Sequence, residues 1–187
     1  MDSSPQSHFR VDIKRVPPAN KGMIDTHMRV RLATLLGTEV LAVPAGEVLD
    51  ISLQMQEVDQ GILVHFSCRT KAVGQCCRCL EDIVFPLDVD DSIIYFYRDE
   101  RQRLIDQGDD EAEDYPIVDS DTITIEDEFI DAAIPLIPYQ PLCSADCRGL
   151  CPECGEAFRH LPPGHTHDSI DPRFAALKGL FKDENER

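Results

Sequence analysis

Leu49, Ile51, Leu53 and Met55 alternate with Asp50, Ser52, Gln54 and Gln56. This is the two-residue period of a strand with one buried face. Asp59-Gln60-Gly61 reads as a turn, after which Ile62, Val64, Phe66 and Cys68 resume the alternation, so the two runs predict an antiparallel hairpin. Past a turn at Cys76 to Cys79 the pattern returns with Ile83, Phe85, Leu87 and Val89 and continues through Ile93 to Phe96. An earlier periodic segment begins near Val30. Together these strands make one meander. Its clean alternation requires one wet face and one face covered by a helix or by a curled continuation of the sheet.

The rest of the chain is less regular. Residues 1–25 are polar, carry Pro17-Pro18 and Gly22, and predict a flexible basic N-terminal arm. From Asp106 to Asp121 there are eight acidic residues and no Lys or Arg. That stretch predicts a solvated loop, a solubilising insert in preference to a binding surface. Thr122 to Ile125 suits a strand. Asp127 to Ile134 suits a short helix with Phe129, Ile130, Ala133 and Ile134 on one face, ended by Pro135 and Pro138. Asp171-Pro172 is an N-cap and first-turn proline ahead of a Phe174, Leu177 and Phe181 stripe, which predicts a C-terminal helix. No internal repeat stands out.

Length and charge narrow the function classes. The 187 residues suffice for one core and a small appendage. A formal charge of -17 excludes a uniformly basic RNA binder. No apolar run has the length of a signal peptide or of a membrane span, so a cytoplasmic location is expected, without membrane attachment. In that compartment eight cysteines point to metal ligation before disulfides.

The cysteines fall into two groups. Cys143, Cys147, Cys151 and Cys154 lie within twelve consecutive residues, and Cys151-Pro-Glu-Cys154-Gly155 has the form of a zinc knuckle. One structural Zn2+ held by these four thiolates is the expectation, in preference to an iron-sulfur cluster. His165 and His167, behind Pro162-Pro163-Gly164, are either alternate ligands in place of Cys143 or Cys147 or a flexible loop pair with no metal role. Cys76 and Cys79 have knuckle spacing too, and either share the ion with Cys151 and Cys154 or form a separate hairpin tip. The separate tip is favoured, because four thiols downstream already complete a shell. Cys68 is expected to be an inward strand residue.

The resulting expectation is an α+β fold: an antiparallel β-meander or partly closed barrel with short helices and a C-terminal zinc-knuckle segment. Its parts are the arm (1–25), a β-rich core (26–142) with the acidic loop 106–121, and a Cys-rich segment with the C-terminal helix (143–187). No His-Glu-x-x-His, phosphate-cradling loop or nucleophile elbow is present, so neither an enzyme nor a small-molecule substrate is expected. A thiol oxidoreductase using Cys76 and Cys79 is a weaker alternative, since a meander is not the βαβ setting of such motifs.

Cys76 to Glu81, the run from Leu142 to Gly155 with its Gly-Leu-Cys-Pro string, and Asp171-Pro172-Arg173 ahead of a Leu-containing helix resemble the YceD family of large ribosomal RNA subunit accumulation proteins. The likeness covers roughly residues 30 to 181. Many members carry Cys-x-Cys where His165-Thr-His167 stands here, which leaves the ligand set open. The resemblance implies a non-enzymatic bacterial factor for 23S rRNA accumulation and large-subunit biogenesis. Two mechanisms follow. Residues 37–142 hold 24 acidic and 6 basic groups, which suits an adaptor or chaperone for a basic ribosomal protein or assembly factor. Residues 1–36 hold Arg10, Lys14, Arg15, Lys21, Arg29 and Arg31 against three acids, which suits direct contact of the arm with 23S rRNA or a pre-50S particle.

Overall fold

A computed structural model describes residues 9–19, 21–118, 120–167 and Arg173. The strands are β1 (Arg10–Asp12), β2 (Ile24–Arg31), β3 (Leu36–Gly37), β4 (Leu41–Val43), β5 (Val48–Val58), β6 (Gly61–Gln75), β7 (Asp82–Phe96) and β8 (Thr122–Thr124). The helices are α1 (Arg98–Asp106) and α2 (Glu126–Ala133), with 3-10 turns at Asp110–Asp114 and Ile134–Leu136. The fold is α+β, a curled half-barrel sheet of antiparallel strands with short helices.

The alternating segments pair as their period requires. β5 meets β6 with Leu53 opposite Phe66, and β6 meets β7 over its whole length, from Gly61 opposite Phe96 to Gln75 opposite Asp82. β6 is the spine: one edge carries β7, and the other is shared by β5 over Gly61 to Cys68 and by β4 at Val73 and Gly74. The inward set of Met28, Val30, Ile51, Leu53, Val64, Phe66 and Val89 is buried. α2 covers it. Phe129, fully buried, lies 5.5 Å from Phe9 and 6.0 Å from Phe66, ring centroid to centroid. Cys68 is an inward strand residue, and burial together with Asp50 pushes its thiol up to about 11.

One expectation is corrected here and another refined. From Phe9 onward the N-terminal segment is not an arm. β1 pairs with β8, Phe9 and Val11 are buried, Lys14 pairs with Asp121 at 3.2 Å, and the Ala19 amide donates to Glu57 at 3.1 Å. Two apolar residues, too few to show a period, anchor it. The acidic stretch after Asp106 is largely exposed, as a solvated loop should be, but it is not structureless: Asp109 caps the 3-10 turn, Ala112 is buried, and Tyr115 stacks on Phe96 at 5.0 Å. Arg101 donates to the Tyr115 carbonyl at 3.1 Å, tying the turn to α1. The expected C-terminal helix lies outside the described residues. Among the described residues, no helix is long and apolar enough to cross a membrane.

Beside the main core is a small second one of Cys76, Cys79, Cys147 and Ala157, with Leu142 and Leu150 against it. Ile83 packs on both cores. The long β6–β7 ribbon thus carries its turn away from the main core and into the cysteine module.

Candidate metal centres

The turn between β6 and β7 is a Cys-x-x-Cys hairpin. The Cys76 amide donates to the Glu81 carbonyl at 2.9 Å, and the Leu80 amide donates to the Cys76 carbonyl at 2.9 Å. Leu80 holds φ 59°, the left-handed conformation that closes the turn. The segment from Cys151 repeats this backbone: the Cys151 amide donates to Glu156 at 2.8 Å, the Gly155 amide to Cys151 at 2.9 Å, and Gly155 has φ 75°. An antiparallel bridge between Leu150 and Ala157 closes the second hairpin. The repeat is legible as Cys-x-x-Cys-x-Glu at 76–81 and at 151–156, a signal missed when the chain is scanned for longer repeats.

The two hairpins serve different clusters. Cys76, Cys79, Cys143 and Cys147 bring their sulfurs within 4.8 Å of one another, and so do the ligating atoms of Cys151, Cys154, His165 and His167. The expected single set of Cys143, Cys147, Cys151 and Cys154 is therefore not assembled at one point. The reason lies between them. The loop from Cys143 to Gly149 folds back onto the β6–β7 turn, where the Cys77 amide donates to Pro141 at 2.9 Å and Arg78 donates to the Cys147 carbonyl at 2.8 Å. Gly149, at φ 78°, lies so close that a Cβ there would sit 2.9 Å from the Arg78 carbonyl oxygen. That bend sends Cys151 and Cys154 off on their own hairpin. Neither a separate tip for Cys76 and Cys79 nor their sharing with Cys151 and Cys154 matches this arrangement.

The first cluster has the dimensions of a tetrahedral thiolate site. Cys76 and Cys147 sulfurs are 3.8 Å apart, and those of Cys79 and Cys143 are 3.5 Å apart. Four sulfurs about 2.3 Å from a zinc ion are separated by roughly 3.8 Å. Cys76, Cys79 and Cys147 are buried, and Cys143 is half-buried. Arg159 from the second hairpin donates to the Cys143 sulfur at 2.7 Å and to Cys79 at 3.4 Å, and pairs through its other terminal nitrogen with Glu81. His160 also reaches Glu81, at 3.3 Å. A guanidinium on the sulfurs offsets the excess negative charge of four thiolates.

The thiols are electrostatically unequal. Burial opposes ionisation of Cys76, but backbone amides at Cys143, Arg78 and Cys79 and the Cys79 thiol bring it down to about 6. Burial and the neighbouring thiols of Cys147, Cys79 and Cys76 push Cys143 up, against the pull of Arg159. A negative charge forms easily at Cys76 and is resisted at Cys143, and a bound cation favours the thiolate at both. In the second cluster, hydrogen bonds from the Cys154 and Glu153 backbone, with His165 and Cys154 side chains, lower Cys151 to about 6 despite burial.

The six basic residues expected to contact RNA do not form a free arm. Arg10 lies on β1 opposite Thr124, Arg29 on β2 opposite Asp50, and Arg31 donates to the Gly46 carbonyl at 2.7 Å. Lys14 is ion-paired, while Arg15 and Lys21 sit exposed in the connection from β1 to β2. The solvent face of the sheet carries both signs, with Arg29, Arg31, Arg69 and Lys71 exposed among its acids. Asp25, Asp50, Asp88 and Asp90 are exposed there, with Asp88 held by Arg69 at 3.3 Å.

Comparison with known proteins adds a lineage. The family model described as large ribosomal RNA subunit accumulation protein YceD matches residues 64–181. The uncharacterized protein Rv2926c of Mycobacterium tuberculosis is 34% identical over 180 residues, 96% of this chain and 84% of its own. ML1660 of Mycobacterium leprae, also uncharacterized, is 31% identical over 78% of this chain and 65% of its own. YlbN of Bacillus subtilis, likewise uncharacterized, is 27% identical over 59% of this chain and 61% of its own. No solved structure matches.

Proposed function

Since the chain belongs to the YceD family of large ribosomal RNA subunit accumulation proteins, we propose that it is a non-enzymatic cytoplasmic factor of large-subunit biogenesis. It supports 23S rRNA accumulation as an acidic adaptor or chaperone for a basic ribosomal or assembly protein. Zn2+ at Cys76, Cys79, Cys143 and Cys147 is structural in this reading. It staples the Cys-rich module to the β6–β7 turn, and its four thiolates leave no open coordination position for chemistry.

The observation that carries the reading is where the charge sits. Most of the net of -18 in residues 37–142 falls between α1 and the end of α2, where Asp110, Glu111, Glu113, Asp114, Glu126 and Asp127 are exposed, while the basic residues of the N-terminal segment are spread over β1, β2 and their connection. A surface of one sign attracts a basic partner, speeds encounter and disfavours polyanions. Direct RNA binding would draw on Arg10, Lys14, Arg15, Lys21, Arg29 and Arg31, all exposed but held on separate strands and their connections instead of on a free arm. The thiol oxidoreductase alternative meets a steric objection, because the Cys76 sulfur belongs to a residue with 0% exposure and a protein disulfide has no path to it.

The test is capture of partners by the tagged full chain from extract of its own organism, with and without ribonuclease, alongside measurement of 23S rRNA after depletion. Basic ribosomal or assembly proteins should remain bound after ribonuclease and leave with rising salt, and depletion should lower 23S rRNA. Binding abolished by ribonuclease would favour the RNA-contact reading. Unchanged 23S rRNA after depletion would remove the role in biogenesis.

A further inference from the structure

The cluster of Cys151, Cys154, His165 and His167 lies apart from the tetrathiolate set and uses none of its ligands. Its hairpin has the same backbone as the turn that supplies half of the first centre, down to the left-handed residue after the second cysteine. Such a hairpin aims both sulfurs of a Cys-x-x-Cys pair at one point. The histidines come from the loop that follows Pro162, where the His165 amide donates to the Pro162 carbonyl at 3.1 Å and turns the chain back toward the sulfurs.

The side-chain atoms converge. His165 Nε2 lies 3.6 Å from Cys154 Sγ and 2.7 Å from His167 Nε2, with the two rings edge-on at 87°. Around a tetrahedral ion with bonds of about 2.3 Å to sulfur and about 2.05 Å to nitrogen, sulfur and nitrogen are roughly 3.5 Å apart and two nitrogens roughly 3.3 Å. The sulfur–nitrogen spacing already fits, and the imidazoles need part by only roughly 0.6 Å, a small swing for the exposed His167.

We propose that Cys151, Cys154, His165 and His167 bind a second divalent ion of the zinc class, independently of the first centre and in faster exchange with solution. Two thiolates and two imidazoles balance the charge of a divalent cation and select borderline-soft metals over magnesium or calcium. The difference in exchange comes from access. Cys154 and His167 are exposed, whereas three of the four residues of the first centre are buried. The ion ties the 162–167 loop to the second hairpin.

Cadmium-loaded full-length protein observed by cadmium NMR tests this without any substitution. Two resonances are expected, one in the four-thiolate range and one upfield in the mixed sulfur-nitrogen range. A four-thiolate signal alone would overturn the proposal, and a mixed signal alone would support it while removing the first centre. Zinc-loaded protein should contain two equivalents of metal. The His165→Ala/His167→Ala double variant should fall to one, a twofold loss, with the four-thiolate resonance unmoved. Retention of two equivalents by that variant, or release of both ions to a chelator in one phase, would overturn it.

Discussion

Leu80 and Gly155 occupy the same place in two copies of one hairpin, each donating its amide to the first cysteine of its pair at 2.9 Å from the left-handed region. Leucine is strained there by about 1–2 kcal/mol and glycine is not. A Cβ at Gly155 meets nothing within 4 Å, so a substitution there reports backbone strain alone. Gly155→Ala should lower unfolding stability by about 1 kcal/mol, and Gly155→Asn by less, since asparagine tolerates this conformation. Urea denaturation of the metal-loaded protein measures both.

Cys76→Ser should remove one equivalent of zinc and free the loop between Leu142 and Cys151 from the β6–β7 turn. A structural zinc contributes about 10–16 kcal/mol in small domains, enough to decide whether such a module is ordered. Limited proteolysis should then cut within that loop while the β-rich core survives. The same core should survive in Cys151→Ser, with the loop protected, because Cys151 belongs to the other set. Identical digestion patterns for the two variants would contradict the partition of ligands.

Phe9→Ala should cost about 3 kcal/mol, near the lower end for a buried phenylalanine, because its ring is 3% exposed and packs on Phe129. A free arm predicts no change. Thermal unfolding decides between them. Truncation to residue 22 removes this anchor too, so arm contacts with RNA are better probed by Arg15→Gln and Lys21→Gln.

The Cys68 thiol ionises near 9.0 when unfolded and near 11 when folded. The folded state therefore holds its proton more tightly. Its contribution is complete below pH 9 and is lost as pH rises through 11, by at most about 3 kcal/mol. Tyr95, also pushed up, chiefly by burial, adds a loss of the same sign in that window. The urea midpoint should fall between pH 8 and pH 10.5, and fall less in Cys68→Ala, the comparison being of slopes with pH.

The sheet was readable because β5 keeps a strict period of two from Leu49 to Gln56 and β6 from Val64 to Cys68, and α2 because Phe129 and Ala133 stand four apart beside a proline stop. β1 was not, since three residues cannot display a period and its burial depends on Phe9, outside the strand. α1 was invisible for a different reason: it buries no residue, so no apolar stripe marks it. The cysteine types and knuckle spacings were legible, but their partition was not. Proximity in sequence favoured Cys143 and Cys147 joining Cys151 and Cys154, whereas the Arg78 and Pro141 hydrogen bonds return that loop to a turn more than sixty residues upstream.

That separation acts during synthesis. Cys79 is made 64 residues before Cys143. At about 5–20 residues per second the first cysteine pair waits roughly 3–13 s for its partners. The β6–β7 ribbon, whose turn is local, can form in that interval and present two thiols at its tip. Until the later strand of chain arrives, those thiols are open to oxidation or to the wrong ion. The yield of correctly loaded protein in cells should therefore depend on elongation rate and on metal supply at the moment of translation, and slower translation under oxidant should lower it.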